Sequence, residues 1–313
     1  MLALTAAVRR LTFPLPNRPG HVHAYVLRGD DGWMLVDTGL ALPDAAERIA
    51  EAAGELDSPI VRVLVTHFHP DHVGATRPAS EATGADVWQG VLDYEQCVHV
   101  WGNPEWPTRI AGWFVEHGVP KPVANELIQL GARYDEFIQF QADPHPLREG
   151  DRIGGWDVLE LPGHADGHIA FARDGALVCG DHLLHRISPA VGLYPDSRPD
   201  PLGDYLVSLR RTVDLGFRIA YPGHGEPLED PAARAHELIE HHRLRLDETE
   251  RVLAEAGVPR TGYEVSNALF GTELAPSARR FAVAETLSHL ERLVAEDRAV
   301  RGGDSGIVSY TAR

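Results

Sequence analysis

The run Thr66-His67-Phe68-His69-Pro70-Asp71-His72 places three imidazoles and one carboxylate within six positions, directly after the strand-like Val61-Arg62-Val63-Leu64-Val65. A β-branched apolar run predicts a strand, and Pro70 predicts a turn just beyond it. Alternate side chains of an extended chain share a face, so His67 and His69 can converge on one ion. Asp71 and His72 lie past the turn and must point elsewhere. A second ion roughly 3.5 to 4 Å from the first, the spacing of two-metal hydrolases, would take them. The stretch therefore predicts a metal centre with a hydrolytic use.

Working outward, four more segments end an apolar run in a turn carrying a ligand-type side chain. They are Leu35-Val36-Asp37-Thr38-Gly39, Leu161-Pro162-Gly163-His164, Ala176-Leu177-Val178-Cys179-Gly180-Asp181 and Tyr221-Pro222-Gly223-His224-Gly225. Sheet proteins place functional groups at such strand ends, on loops over a rigid scaffold. With 17 histidines in 313 residues, any one of these pieces alone would as readily be a turn or core residue. Their joint occurrence, in this order, is a different matter. Together they resemble the signature of the metallo-β-lactamase superfamily.

That resemblance implies a ligand set. His67, His69 and His164 would hold a first ion, Asp71, His72 and His224 a second, and Asp181 would bridge them. Asp71 and Asp181 are the expected catalytic carboxylates, Asp71 also orienting the attacking hydroxide. Asp37, one strand away, is expected to organise the ligand loops by hydrogen bonds, as partners behind metal ligands do. His168 lies inside the apolar run Ile169-Ala170-Phe171 rather than in the Pro-Gly turn, and is expected behind the ligands. A centre rich in imidazole suits Zn²⁺, while its carboxylates also suit Fe or Mn. A hydroxide between two such ions would form near pH 7 and attack a polarised carbonyl.

The implied fold is α/β (α+β), a four-layered αββα sandwich with the metals at one edge and helices on the outer faces. Strand-like segments occur near 22–28, 33–37, 61–65, 85–88, 152–160, 168–172, 176–179 and 217–220, and a helix is predicted from Pro43 to Ala53. The expected division is a catalytic domain over 1–229, with a helical insertion at about 89–148, and a C-terminal domain over 230–313. The latter reads helix, short helix, long helix and Gly-turn hairpin. It is similar to the winged-helix-like tail of hydrolases related to β-lactamase-like protein 2 and, more distantly, to glyoxalase II.

Composition bounds the function. At 43% hydrophobic the chain can bury a substantial core. It contains no run of the roughly 18 to 20 apolar residues needed to cross a bilayer. Arg9-Arg10 follow the apolar Met1 to Val8 instead of preceding it, the wrong order for a secretory signal. Two cysteines, Cys97 and Cys179, are too few for a disulfide framework, so a cytoplasmic location is expected. A formal net charge of −17 weighs against a polyanionic partner, because nucleic-acid affinity rests on neutralised phosphates. From Asp230 to Arg313 there are 14 acidic residues against 11 arginines, so the tail is expected to pack or to form a homodimer. A small anionic substrate stays open, since two divalent ions would dominate the local field.

The insertion carries Trp101, Trp106, Trp113, Phe114, Tyr134, Phe137 and Phe140. These could be the inner face of a helical subdomain. Trp101 and Trp113 could instead form a lid over an apolar acyl or ring-bearing substrate. A small acyl thioester or ester is the expected substrate. An RNA or DNA endonuclease, and a metal-containing effector acting through partner binding, are the alternatives.

Overall fold

The computed structural model describes residues 1–16, 19–129 and 132–313, leaving aside the side chains of Gln129, Ala132, Arg133 and Tyr134. Twelve of its strands form two sheets. The first contains β1 (Leu2–Ala3), β2 (Val8–Pro14), β3 (His21–Arg28), β4 (Trp33–Val36), β5 (Ile60–Val65), β6 (Asp86–Gly90) and β7 (His145–Leu147), in sequence order. The second contains β8 (Arg152–Ile153), β9 (Trp156–Glu160), β10 (Ile169–Arg173), β11 (Ala176–Gly180) and β12 (Ile219–Pro222), in the order β12-β11-β10-β9-β8.

The period-2 alternation of a strand explains why these segments read as unbroken apolar runs, since both faces are covered. Tyr25, Leu27, Met34, Val36 and Leu64 share one core with Trp156, Val158, Phe171 and Val178 of the other sheet. Their neighbours Val22, Ala24, Val26, Trp33, Leu35, Val63 and Val65 face the opposite way, into a second core with Ile49, Ala79 and Cys97. Those three sit on helices Ala45–Gly54, Thr76–Thr83 and Val91–Val100. This is a mixed α/β fold, two sheets sharing one core with helices packed on the outer face of the first.

Strand directions decide where the ligand loops emerge. β4 and β5 are parallel, so Asp37 and Thr66 leave the first sheet at the same edge. β11 and β12 are also parallel, which brings Asp181 beside His224. β9 and β10 are antiparallel, with Ile169 opposite Glu160, so the hairpin loop carrying His164 projects from one end. The Ile169 amide donates to Thr66 O at 2.8 Å and ties that loop to the first sheet.

β1, β2 and β7 lie outside the expected strand segments, and one expected segment is divided. β2 pairs along its length with β3, but Arg9-Arg10 and Pro14 hide its alternation. The predicted single strand 152–160 is two, because Gly154 and Gly155 both take positive φ (54° and 83°) and turn the chain into a hairpin, for which a Gly-Gly pair is well suited. β7 is only three residues long and has little pattern to detect.

The chain clusters into two compact units, residues 1–102, 134–189 and 212–234 in one, and 103–133, 190–211 and 235–313 in the other. The latter gathers helices Trp106–Glu116, Lys121–Gln129, Gly262–Phe270 and Pro276–Ala295, most of Pro231–Ala256, and a hairpin of β13 (Ala299–Asp304) and β14 (Ile307–Ala312). The expected insertion at 89–148 is thus shared between the units. Trp106, Ile110, Phe114 and Leu127 are core residues of the second. Thr261 opens helix 262–270 with a capping box to Glu264. Helix 276–295 is buried around much of its circumference through Ala282, Val283, Leu287, Leu290 and Leu293. Among the described residues no helix is long and apolar enough to cross a membrane.

Candidate metal centre

The loops at the sheet edge bring all seven predicted ligands together. Three overlapping groups have ligand atoms within 4.8 Å of one another: His67, His69 and His164; His67, His72 and Asp181; and Asp71, His72 and His224. Asp181 lies centrally, its carboxylate 3.5 Å from His72 Nε2, 3.6 Å from His164 Nε2 and 3.4 Å from His224 Nε2. Asp71 Oδ2 is 3.3 Å from His224 Nε2. His69 Nδ1 and His164 Nε2 approach to 2.8 Å.

Asp37 supplies the order behind this cluster. It stands at the end of β4 in the left-handed region, with φ 63°, a conformation that short polar side chains tolerate best. Its Oδ1 accepts the Thr66 amide at 2.8 Å, and its Oδ2 accepts both the Thr66 hydroxyl and His72 Nδ1–H at 2.8 Å. With the hydroxyl proton committed to Asp37, Thr66 Oγ1 presents a lone pair to His67 Nδ1 at 3.0 Å. Both rings therefore carry their hydrogen on Nδ1 toward this network and turn Nε2 inward. At His224 the same is done by a backbone carbonyl, since His224 Nδ1 donates to His21 O at 2.7 Å.

Buried atoms without partners test whether an ion fits. His67 Nε2, His72 Nε2 and Asp181 Oδ1 are buried and, apart from the 3.5 Å approach of the last two to each other, have no hydrogen-bond partner among the described residues. Such groups are rare because stranding one costs about 1–3 kcal/mol. Here the three belong to one ligand group. Electrostatics agree. Burial alone would lower His72, yet Asp181, Asp37 and Asp71 hold it well above its ordinary range. Burial likewise opposes the charge on His224, but Asp181 and Asp71 push it up to about 10. Burial would raise Asp181, and His224 and His72 instead hold it well below the usual carboxylate range. His69 is pushed down to about 3, by burial first and then by His164. The carboxylates thus draw protons onto neighbouring imidazoles, and a cation would displace those protons and take up the same negative potential. Imidazole nitrogens with carboxylate oxygens are a donor set for Zn²⁺ or Fe.

Gly223 has no room for a side chain. A Cβ there would overlap Asp181 Oδ1 and lie 2.6 Å from His72 Cε1, which accounts for glycine before His224.

The other predicted residues are placed differently from one another. His168 is fully buried and stacks on His67, with centroids 5.0 Å apart at 27°. It belongs to none of the ligand groups. Trp101 points its indole N–H at Phe68 O, 2.8 Å away, and lies tilted against the Phe68 ring. Trp113 belongs to the other compact unit, where it stacks on Tyr194.

Several supporting residues escape a reading of the sequence. Thr66 and the carbonyl of His21 fix imidazole tautomers, as described. Asp93 is fully buried and accepts the Phe68 amide at 2.8 Å. Thr66 adjoins the histidine cluster and could have been found there. Asp93 carries no such signal, because its contact spans 25 positions and depends on tertiary packing.

A family model described as Metallo-beta-lactamase superfamily matches residues 17–224, and another described as Metallo-beta-lactamase-like, C-terminal domain matches residues 246–313. Probable metallo-hydrolase YqjP of Bacillus subtilis (strain 168) is 30% identical over 94% of either chain. Lactamase-like protein aptB of Emericella nidulans is 26% identical over 91% of this chain and 79% of that protein. Among solved structures, a metallo-beta-lactamase family protein from Thermus thermophilus is 36% identical with a TM-score of 0.85, covering 99% of this chain and 100% of its own. A beta-lactamase domain protein from Burkholderia ambifaria is 29% identical with a TM-score of 0.87, covering 99% and 93%.

Proposed function

The chain belongs to the metallo-β-lactamase superfamily, and from that premise we propose that it is a dinuclear metal-dependent hydrolase of small acyl thioesters or esters. The observation that carries the metal reading is the group of three buried atoms without a hydrogen-bond partner among the described residues, His67 Nε2, His72 Nε2 and Asp181 Oδ1, inside a ring of seven ligand-type side chains. His67, His69 and His164 would hold one ion, and Asp71, His72 and His224 the other, with Asp181 between them. Two bound divalent ions, most simply Zn²⁺, would supply water activation near neutral pH and polarise the scissile carbonyl.

The chain's own residues do the rest. Asp37 fixes which nitrogen of His72 faces the centre and, through Thr66, which nitrogen of His67 does. A carboxylate behind an imidazole also raises its basicity as a ligand. Asp71 and Asp181 flank His224 Nε2 and bring the negative charge that makes a cation favourable. Nucleic acid is the weaker substrate class for a chain of net charge −17. We place the protein in the cytoplasm, where its two cysteines, free and buried, would stay reduced.

A panel of thioesters, esters, lactones, phosphodiesters and RNA, assayed with the metal-loaded protein, tests this reading. Thioester or ester turnover at least tenfold above the other classes is expected. Turnover confined to RNA or phosphodiesters would overturn it. The same panel tests the apolar-lid expectation at Trp101, because Trp101→Ala should then cost long-chain acyl substrates more than acetyl ones, at about 25 cal/mol per Å² of apolar area uncovered.

A further inference from the structure

One helix packs against both loops that carry the three-histidine ion site. Val91–Val100 begins after β6 and ends on Trp101. In its first turn Asp93, fully buried, accepts the amide N–H of Phe68 at 2.8 Å. Beyond its last turn, Trp101 donates its indole N–H to the carbonyl of the same residue at 2.8 Å. Phe68 stands between His67 and His69. Its two backbone polar groups are therefore held from opposite ends of a single rigid element, which leaves the chain between the two histidines little freedom to rotate.

The other loop meets the same helix. Gln96 Nε2 donates to Asp166 Oδ2 at 3.1 Å, two residues beyond His164. Gly167 lies so near the first turn that a Cβ there would overlap the Asp93 amide nitrogen and come within 2.6 Å of its Cα. Gln89, on β6, donates to the second oxygen of Asp93 at 2.6 Å and fixes that carboxylate in turn. The ligands of the other ion are braced from elsewhere, His72 by Asp37 and His224 by the carbonyl of His21.

We propose that helix 91–100 with Trp101 sets the geometry of the His67, His69 and His164 site separately from that of its neighbour, with Asp93 and Trp101 as positioning residues. The inference rests on the dinuclear reading above. Asp93 and Trp101 touch no ion in this account. They act on the peptide that joins two ligands, and losing support behind metal ligands costs about 10- to 100-fold in metal affinity or activity.

The test uses the full chain, prepared metal-free and titrated with Co²⁺ under chelator competition, with the visible absorption of the bound cobalt as readout. Trp101→Phe keeps the ring and removes only the N–H. Asp93→Ala removes the acceptor, and Asp93→Asn restores one at Oδ1 for the Phe68 amide, its NH₂ being met by Gln89 Oε1 once the Gln89 side-chain amide turns over. Trp156→Phe is the control, since it removes a comparable indole N–H bonded to Arg28 O in the core between the sheets. Trp101→Phe and Asp93→Ala should weaken one cobalt about 10- to 100-fold and alter the band of the imidazole-rich site, leaving the other ion unchanged. Asp93→Asn should recover most of the loss, and Trp156→Phe should bind both ions as the wild type does. If Asp93→Ala does not fold, Trp101→Phe decides. Variants that bind both ions like the wild type, or lose both in parallel, would overturn the inference while leaving the dinuclear reading intact. A wild-type chain that takes up no cobalt would overturn that reading and the inference with it.

Discussion

Replacing Asp37 by Asn should disable both ion sites while scarcely changing side-chain volume. The native carboxylate accepts three hydrogen bonds: the Thr66 amide on one oxygen, and the Thr66 hydroxyl and His72 Nδ1–H on the other, all at 2.8 Å. An asparagine has one acceptor oxygen and two N–H donors. If its oxygen takes the amide position, its NH₂ faces the hydroxyl and His72. The hydroxyl must then rotate and donate to His67 Nδ1, which moves the hydrogen of His67 onto Nε2, the nitrogen that points into the centre. His72 meets the same NH₂ and is driven to the same wrong tautomer. If the amide flips instead, the buried Thr66 N–H is left facing a donor. Each stranded buried donor costs about 1–3 kcal/mol. Losing the partner behind a metal ligand costs about 10- to 100-fold in affinity or activity, and here two ligands depend on one carboxylate. Metal content after gel filtration, chelator competition and turnover should each show the loss, with stability of the metal-free chain falling by no more than a few kcal/mol. An Asp37→Asn protein holding two ions with wild-type affinity would refute the tautomer argument.

Two further outcomes can be checked, one at the metal cluster and one in the second compact unit. Asp181→Ala should lower metal content and activity more than Asp37→Ala, because it takes a ligand-type oxygen from the middle of the cluster and leaves two cations without their shared counter-charge; equal losses measured by elemental analysis and turnover would reverse the roles. In the second compact unit, His289 Nδ1 donates to Glu285 O at 2.8 Å and His242 Nδ1 faces His289 Nε2 at 3.2 Å. Burial, helped at His242 by His289, pushes His242 down to about 2, and burial pushes His289 down to about 4. Folded values below the unfolded value of about 6.5 mean that this stability is present above pH 6.5 and is lost as the pH falls toward 4. Urea unfolding of the metal-free chain should therefore show a lower midpoint at about pH 5 than at about pH 7.5, and a smaller drop in His289→Gln; an unchanged drop in that variant would count against the pair.

The sequence carried the ligands well because they sit where apolar strands stop at a turn, or, for Asp71 and His72, in the short helix just beyond one. That is a local signal, and Asp181 after Val178-Cys179-Gly180 or His224 after Pro222-Gly223 could be read without knowing what lay opposite. The C-terminal helices and hairpin were legible for a similar reason, with Gly306 in the turn, although Gly302 and Gly303 are paired strand residues opposite Ser309 and Val308. What could not be read were pairings between distant segments. β2 becomes a strand because β3 offers it a full ladder, not because Val8-Arg9-Arg10-Leu11 alternates clearly. Asp93 matters because packing brings the first turn of its helix to Phe68. Trp101 shows the limit from the other side: an aromatic in an aromatic-rich segment suggests apolar contact, yet the fold has also committed its N–H to a backbone carbonyl.

The most direct test of the central claim is the metal content of the purified wild-type chain after growth with ample zinc and iron. Seven converging ligands, with three of their atoms buried and without a hydrogen-bond partner among the described residues, predict close to two transition-metal ions per chain by elemental analysis. A chain that folds normally and carries none would contradict the account.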